Sequence, residues 1–151
     1  QTCALPISKK LDALAPQSAD MVLVARSFHN WARNGRTEPY LKAIVTILKP
    51  GGILAVEQHR APAGSAQKPD TGYVTEAYVI EAATKAGLVL EARSEINANP
   101  KDDHNHPFGV WTLKPIRSSS DASRTLTAEE RAHYDVIGES DRMTLRFRKP
   151  G

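Results

Sequence analysis

Short, mostly apolar runs alternate with stretches of helical periodicity along this chain, and this alternation constrains its fold more than any other feature. The apolar runs are Met21–Ala25, Ile53–Val56 and Leu88–Ala92. The first two are typical of strands buried within a parallel sheet, Met21–Ala25 on both faces, and Leu88–Ala92 is predicted to be a third strand. The order strand, helix, strand, helix, strand predicts an α/β fold with right-handed crossovers.

Two helices are predicted between these strands. The first begins at Thr37 as its N-cap and is ended by the segment 50–52, which reads Pro-Gly-Gly. The second runs from near Gly72 to Lys85, and Gly87 ends it. The apolar positions of the first helix form one stripe: Tyr40, Leu41, Ile44, Val45 and Leu48.

The last third of the chain has a different pattern. Met143, Leu145 and Phe147 alternate with polar residues, which predicts an antiparallel strand with one wetter face. The segment 97–141 before it is predicted to be an insertion. That insertion holds a helix with a capping box, in which Thr127 precedes Glu130 by three residues.

Composition excludes several function classes. The 151 residues carry a formal net charge of +3, and the basic side chains are scattered, so no nucleic-acid surface is predicted. No run approaches the roughly 18 apolar residues of a membrane-spanning helix. A single cysteine, Cys3, excludes an internal disulfide and a cysteine-based zinc cage.

The first seven residues resemble a translated DNA-sequencing adapter. We expect residues 1–7 to be an artefactual leader, with a truncated native sequence over residues 8–151. Cys3 then has no functional weight, and the native N-terminus with any targeting signal is not observed. The cytoplasm is the expected location by default, and an exported parent protein stays open.

An ordered set of motifs resembles the C-terminal half of a class I S-adenosylmethionine-dependent methyltransferase. The set comprises Asp20–Val24, the LKPGG joint within Leu48–Leu54, Ala86–Leu88 and the closing Leu145–Pro150. More narrowly, the HNW, EQHR, GYVTEAYVI and IGESDRMTLRF segments resemble a bacterial methyltransferase family with little defined substrate chemistry.

This resemblance implies a partial Rossmann-like methyltransferase sheet made of strands four to seven, the last one antiparallel, with helices on its faces. The glycine-rich turn and the acidic residue that hold the cofactor in such folds are absent. We therefore expect this fragment to bind S-adenosylmethionine weakly or not at all, and to be inactive alone. The strand Met21–Ala25 would be an open edge, able to pair with a partner.

The loop after the first strand is one candidate site, because ligands of open parallel sheets bind beyond the carboxyl ends of the strands. His29 is a candidate general base, and Asn30 could orient a substrate. The alternative is that His29 and Trp31 only pack the loop. The resemblance places this loop beside the cofactor, with the following contacts: Arg26, Ser27, Phe28 and His29.

The second candidate site is the segment 57–60 after the next strand. His59 would lie across the cleft from His29, and Arg60 could clamp a carboxylate or phosphate of the substrate. The alternative is a solvated loop with an incidental salt bridge. The insertion over Asn97–Trp111 could cap the cleft and exclude water.

The segment 102–106, Asp-Asp-His-Asn-His, contains residue types that bind divalent metals, but its spacing is too tight and we predict no metal site. The leading hypothesis is a methyltransferase fragment acting on a small-molecule acceptor. One alternative is a binding module that completes its sheet with a partner or a second copy. A metal-dependent hydrolase is a weaker alternative.

Overall fold

The computed structural model of the protein describes residues 14–151. The predicted artefactual leader and Cys3 lie outside the described residues. Within the described part, no helix is long and apolar enough to cross a membrane.

The described chain forms a mixed sheet with helices packed on one face. Its strand order is β1-β2-β5-β4, and a short strand β3 also pairs with β2. The elements are β1 (Ala19–Ala25), α1 (Phe28–Arg33), α2 (Thr37–Ile47), β2 (Leu48–Ala61), β3 (Val74–Thr75), α3 (Glu76–Lys85), β4 (Val89–Ser94), α4 (Ala128–Ile137) and β5 (Arg142–Arg148). Two 3-10 helices cover Pro69–Thr71 and Gly109–Thr112. The predicted α/β class is confirmed.

Strand β5 lies between β2 and β4 and runs antiparallel to both. Its apolar side chains Met143, Leu145 and Phe147 are buried, whereas Arg146 is exposed. The predicted alternation and the antiparallel orientation of the last strand are therefore confirmed. Strands β1 and β2 are parallel, as predicted.

Strand β1 is covered on one face only. Val22 and Val24 are buried in the main core with apolar side chains of α2 and α3, whereas Met21 is 44% and Leu23 is 61% exposed. The prediction that this run is buried on both faces is wrong for the described residues, because the buried side chains of α1, α2 and α3 join the core on the other face. Among residues 14–151, β1 pairs only with β2.

Two predicted loops are regular structure. The residues after β1 form the short helix α1 rather than a loop. The segment 57–60 belongs to β2, because β5 pairs with β2 as far as His59 and β3 pairs with Arg60. Strand β2 also begins at Leu48, where the sequence predicted the end of a helix; the backbone of Gly51 and Gly52 pairs there with Lys149.

Helix α3 begins four residues later than predicted. The Thr75 hydroxyl accepts a hydrogen bond from the Tyr78 backbone N–H at 3.2 Å and caps the helix. Gly72, at φ = 88°, turns the chain into β3. Tyr73, which was predicted to lie on the helix, is thereby directed into the insertion. Helix α4 has the predicted capping box of Thr127 and Glu130.

Candidate functional site

A cavity of about 480 Å³ lies at the carboxyl ends of β1 and β2. It is formed by side chains of α1, β2 and the insertion: Arg26, His29, Asn30, His59, Val110, Trp111, Lys114, Pro115 and Ile116. A larger groove of about 720 Å³ lies between α2 and α3, away from the strand ends. The structure brings together His29 and His59, whose ring centroids are 5.8 Å apart.

His29 is held by the buried amide of Gln58. The Gln58 Oε1 accepts from the Phe28 N–H at 3.1 Å and Nε2 donates to the Gly72 carbonyl at 2.8 Å, which fixes the amide orientation. The second amide N–H then points at His29 Nδ1, 3.3 Å away. A proton on Nδ1 would instead face the Gln58 Oε1 at 3.5 Å. The shorter contact favours Nδ1 as the acceptor and the tautomer with the ring proton on Nε2, which makes no hydrogen bond within residues 14–151.

His59 is held by Ser140, which precedes β5. The distance between His59 Nδ1 and Ser140 Oγ is 2.5 Å. Burial, together with the nearby His29 and Arg142, lowers the pKa of His59 to about 3. Burial also lowers the pKa of His29. Both imidazoles are therefore neutral at physiological pH, and a strong general base is not what this geometry favours.

The lowered pKa of His59 predicts a pH-dependent stability. Below pH 6.5 the unfolded chain binds a proton at His59 that the folded chain does not bind until about pH 3. Stability is therefore lost as the pH falls through this window, by up to about 1.4 kcal/mol per pH unit. We expect His59→Asn to flatten this slope in urea unfolding at pH 7 and pH 5. The exposed His133 offers a control, since His133→Asn should keep the wild-type slope.

The structure does not make Arg60 available to a substrate. Its guanidinium donates to Asp141 at 2.9 and 3.0 Å and to Glu95 at 2.8 and 3.0 Å. Glu76 lies 3.6 Å away. The hydrogen bonds to Glu95 and Asp141 raise the pKa of Arg60. Arg60, which was predicted to bind an anionic substrate group, is thus the centre of a network of internal ion pairs that connects β2 to the insertion.

The other predicted residues of the first loop divide into two groups. Asn30 lines the cavity, and its Oδ1 accepts a hydrogen bond from Arg33 at 2.8 Å. Phe28 is fully buried in the core, and the Ser27 hydroxyl donates to the Ala25 carbonyl at 3.1 Å. Of the four predicted cofactor contacts, only the side chains of Arg26 and His29 reach the cavity.

Asp102 is a buried hub that the sequence did not identify. Its Oδ1 accepts from His106 Nε2 at 2.7 Å and from the His104 N–H at 2.8 Å. Its Oδ2 accepts from the Tyr73 hydroxyl and the Asp141 N–H, both at 2.7 Å. The pKa of Asp102 falls to about 2, because these hydrogen bonds outweigh the effect of its burial.

This arrangement does not favour a metal at the same cluster. Asp102, Asp103 and His106 offer ligand atoms within 4.8 Å of one another. Both oxygens of Asp102 are already saturated by hydrogen bonds from four donors, and a carboxylate has about four lone-pair sites. The hydrogen bonds of this cluster stabilise the fold of the insertion.

Sequence reasoning also missed Gln58, Ser140 and Lys114. Gln58 lies within the predicted segment 57–60, but only His59 and Arg60 were given roles there. Its full burial follows from the alternation of β2, which was predicted to be a loop at this point. Ser140 and Lys114 lie in the insertion and reach the cavity only through the fold. Of the segment Asn97–Trp111, which was predicted to cap the cleft, Val110 and Trp111 line the cavity.

The fold is similar to those of several solved structures, among them two methyltransferases. No protein-family model and no curated protein matches the chain. A SAM-dependent methyltransferase from Methanosarcina mazei is 11% identical, with a TM-score of 0.55 over 91% of this chain and 62% of that one. The 4+2 cyclase SpnF is 18% identical, with a TM-score of 0.56 over 99% of this chain and 55% of that one.

A third similar structure carries a ligand in its crystals. It is the 1,6-didemethyltoxoflavin-N1-methyltransferase of Burkholderia thailandensis, with bound 1,6-didemethyltoxoflavin and S-adenosylhomocysteine. It is 12% identical, with a TM-score of 0.52 over 91% of this chain and 46% of that one. The chain spans about half the length of the structures it matches. At these identities the similarity shows a Rossmann-like methyltransferase fold, and activity has to be argued from the cavity.

Proposed function

We propose that this chain forms the acceptor side of an S-adenosylmethionine-dependent methyltransferase whose methyl acceptor is a small molecule. The observation that carries the proposal is the cavity beyond the carboxyl ends of the parallel strands β1 and β2, where open α/β sheets bind their ligands. Its size suits a small molecule. The proposed cofactor favours the cytoplasm as the site of action.

The described residues fit only one end of the cofactor. When bound, S-adenosylmethionine supplies a methyl group on a positively charged sulfur. Arg26 and His29, at the end of β1, would stand beside that reacting end. None of the described residues that line the cavity is acidic, so the ribose hydroxyls find no carboxylate here.

We propose that the rest of the cofactor site is built by a further segment beside β1, with residues 8–151 as the C-terminal part of the domain. The outer edge of β1 makes no strand pairing within residues 14–151. The exposed side chains of Met21 and Leu23 on the uncovered face favour such a cover. The residues before Ser8 remain a proposed leader in this scheme.

The proposed roles of the cavity residues are those of positioning. His29 donates a hydrogen bond to the acceptor through Nε2, while Asn30 and His59 orient its polar atoms. Val110 and Trp111 of the insertion cover the bound acceptor and exclude water. Methyl transfer is an in-line displacement that depends on alignment and desolvation more than on acid or base strength.

The proposal is tested by transfer of an isotope-labelled methyl group from S-adenosylmethionine to a panel of small molecules. We expect transfer by residues 8–151 joined to any segment encoded upstream in the same gene, and little or none by residues 8–151 alone. His29→Ala should lower kcat/KM about 100-fold in the active form, since it removes a hydrogen-bond donor at the reacting centre. His133→Ala, on the exposed face of α4, is the matched control.

Two outcomes would contradict this proposal. Micromolar cofactor binding by residues 8–151 alone would remove the need for a further segment. Failure of the joined protein to methylate any acceptor, together with a stable dimer in sedimentation, would favour the second candidate function, an interaction module. That candidate is supported by the exposed Met21 and Leu23 on an unpaired strand edge.

A further inference from the structure

The charged side chains that line the cavity are all cationic. Arg26 approaches it from the end of β1, and Lys114 approaches it from the insertion. No aspartate or glutamate belongs to the described lining, and His29 and His59 are uncharged at neutral pH. The local field therefore favours a negatively charged ligand.

Arg26 is positioned by backbone geometry, and its ion pair with Glu57 is a long one. Its φ of 49° lies in the left-handed region, and its N–H donates to the Glu57 carbonyl at 2.7 Å. The Glu57 carboxylate lies 3.8 Å from Arg26 Nε, but it accepts a hydrogen bond from Arg142 at 2.8 Å. The Arg26 side chain is 47% exposed, so its remaining N–H groups face solvent or ligand.

Lys114 is likewise not committed to a carboxylate. Among the ion pairs within residues 14–151, none involves Lys114. Its charge helps to lower the pKa of Asp135, yet that carboxylate is bound by Arg117 at 2.7 and 2.9 Å. The Lys114 backbone is tied to Gly138 by a 3.1 Å hydrogen bond, which holds the exposed side chain at the cavity mouth.

Apart from Asn30, the rest of the wall is apolar. Val110, Pro115 and Ile116 line the cavity, and the Trp111 ring lies edge-on to His29 with centroids 5.8 Å apart. An apolar wall opposite two cations suits a ligand with an apolar body and one anionic group.

We propose, on the basis of the function argued above, that the methyl acceptor of this cavity is a small organic anion with an apolar body. Arg26 and Lys114 bind its carboxylate or phosphate, and Trp111 packs against its body. His29 donates to the same anionic group through Nε2.

An anionic acceptor also removes the need for a general base. Transfer of a methyl group from a sulfonium to an anionic oxygen forms one bond to carbon and breaks the carbon–sulfur bond. The electron pair of that bond stays on sulfur, so no proton has to leave. This agrees with the weakly basic His59 and with a His29 whose cavity-facing nitrogen carries a proton.

The test is a titration of the 151-residue chain with benzoate, phenyl phosphate and the neutral analogue benzamide. Binding is followed by the Trp111 indole N–H in proton–nitrogen NMR spectra. We expect at least one anion to bind, and benzamide to bind at least tenfold more weakly. Arg26→Gln and Lys114→Gln should each weaken anion binding about tenfold. Arg26→Lys should recover part of it, and added salt should weaken it.

Exposed cations outside the cavity give matched controls: Arg36→Gln and Lys101→Gln should leave anion binding unchanged. The proposal is overturned if benzamide binds as tightly as the anions, if none of the three probes binds, or if both cavity variants bind anions like the wild type. The relative affinities of benzoate and phenyl phosphate separate a carboxylate from a phosphate. Because no methyl donor is present, this titration does not depend on the proposed function. Failure of the joined protein to methylate any acceptor would refute that function and leave a measured anion site standing.

Discussion

Replacing Asp102 with alanine is expected to lower the free energy of unfolding by about 4 kcal/mol. The Asp102 side chain is fully buried and accepts hydrogen bonds from four donors, two of them backbone N–H groups. An alanine would leave these donors without a partner inside the protein. Each buried, unsatisfied donor costs about 1–3 kcal/mol, and some of them would relax toward water.

The measurement is urea unfolding followed by tryptophan fluorescence. Asp103→Ala is the matched control, because the Asp103 side chain is 63% exposed and its loss should change stability by less than about 0.5 kcal/mol. Asp102→Asn should fall between the two, since the amide keeps one acceptor but presents N–H groups to two donors. A loss below about 1 kcal/mol in Asp102→Ala would contradict the hub described here.

Gly109→Ala should destabilise the protein by about 2–4 kcal/mol and disturb the cavity at the same time. Gly109 has a φ of 58°, and a Cβ there would meet the Thr71 carbonyl oxygen at 2.3 Å. Since the obstacle is backbone, the two segments would have to separate. Val110 and Trp111 follow directly, so the cavity wall would move with them.

A second glycine distinguishes the cost of left-handed backbone strain from the cost of the steric clash at Gly109. Gly64 has a φ of 74°, and a Cβ at this position meets nothing within 4 Å. Gly64→Ala should therefore cost only the left-handed backbone strain, about 1 kcal/mol. If thermal and urea unfolding gave the same loss of stability for Gly64→Ala and Gly109→Ala, the close contact between Gly109 and Thr71 would not contribute to the cost of the Gly109 substitution.

The fold class was predictable because hydrophobic periodicity is a local property. The alternation in β5 and the helical stripe of α2 each report which face is buried, whatever the partner is. The capping box at Thr127 was predictable for the same reason, since its two hydrogen bonds join residues three apart. The extent of β2 was not predictable, because its polar end is held as a strand by pairing with β5 and β3.

The candidate site was predicted in part. The rule that ligands bind beyond the strand ends selected His29, Asn30 and His59, and all three line one cavity. The same rule selected Arg60, whose charge is taken up by Asp141 and Glu95. Nothing in the sequence around Arg60 indicates these partners, since Asp141 is 81 residues away.

The sequence by itself determined the order of the main strands and helices, the buried faces of α2 and β5, and the segments that follow β1 and β2. Local spacing suffices for these properties, because each depends on neighbours along the chain. Only the tertiary structure decided which polar side chains can bind a ligand and which are already bound to other side chains of the protein. Arg26 and Lys114 can bind a ligand because the nearby carboxylates of Glu57 and Asp135 accept hydrogen bonds from other arginines. Those hydrogen bonds join residues that are distant in sequence.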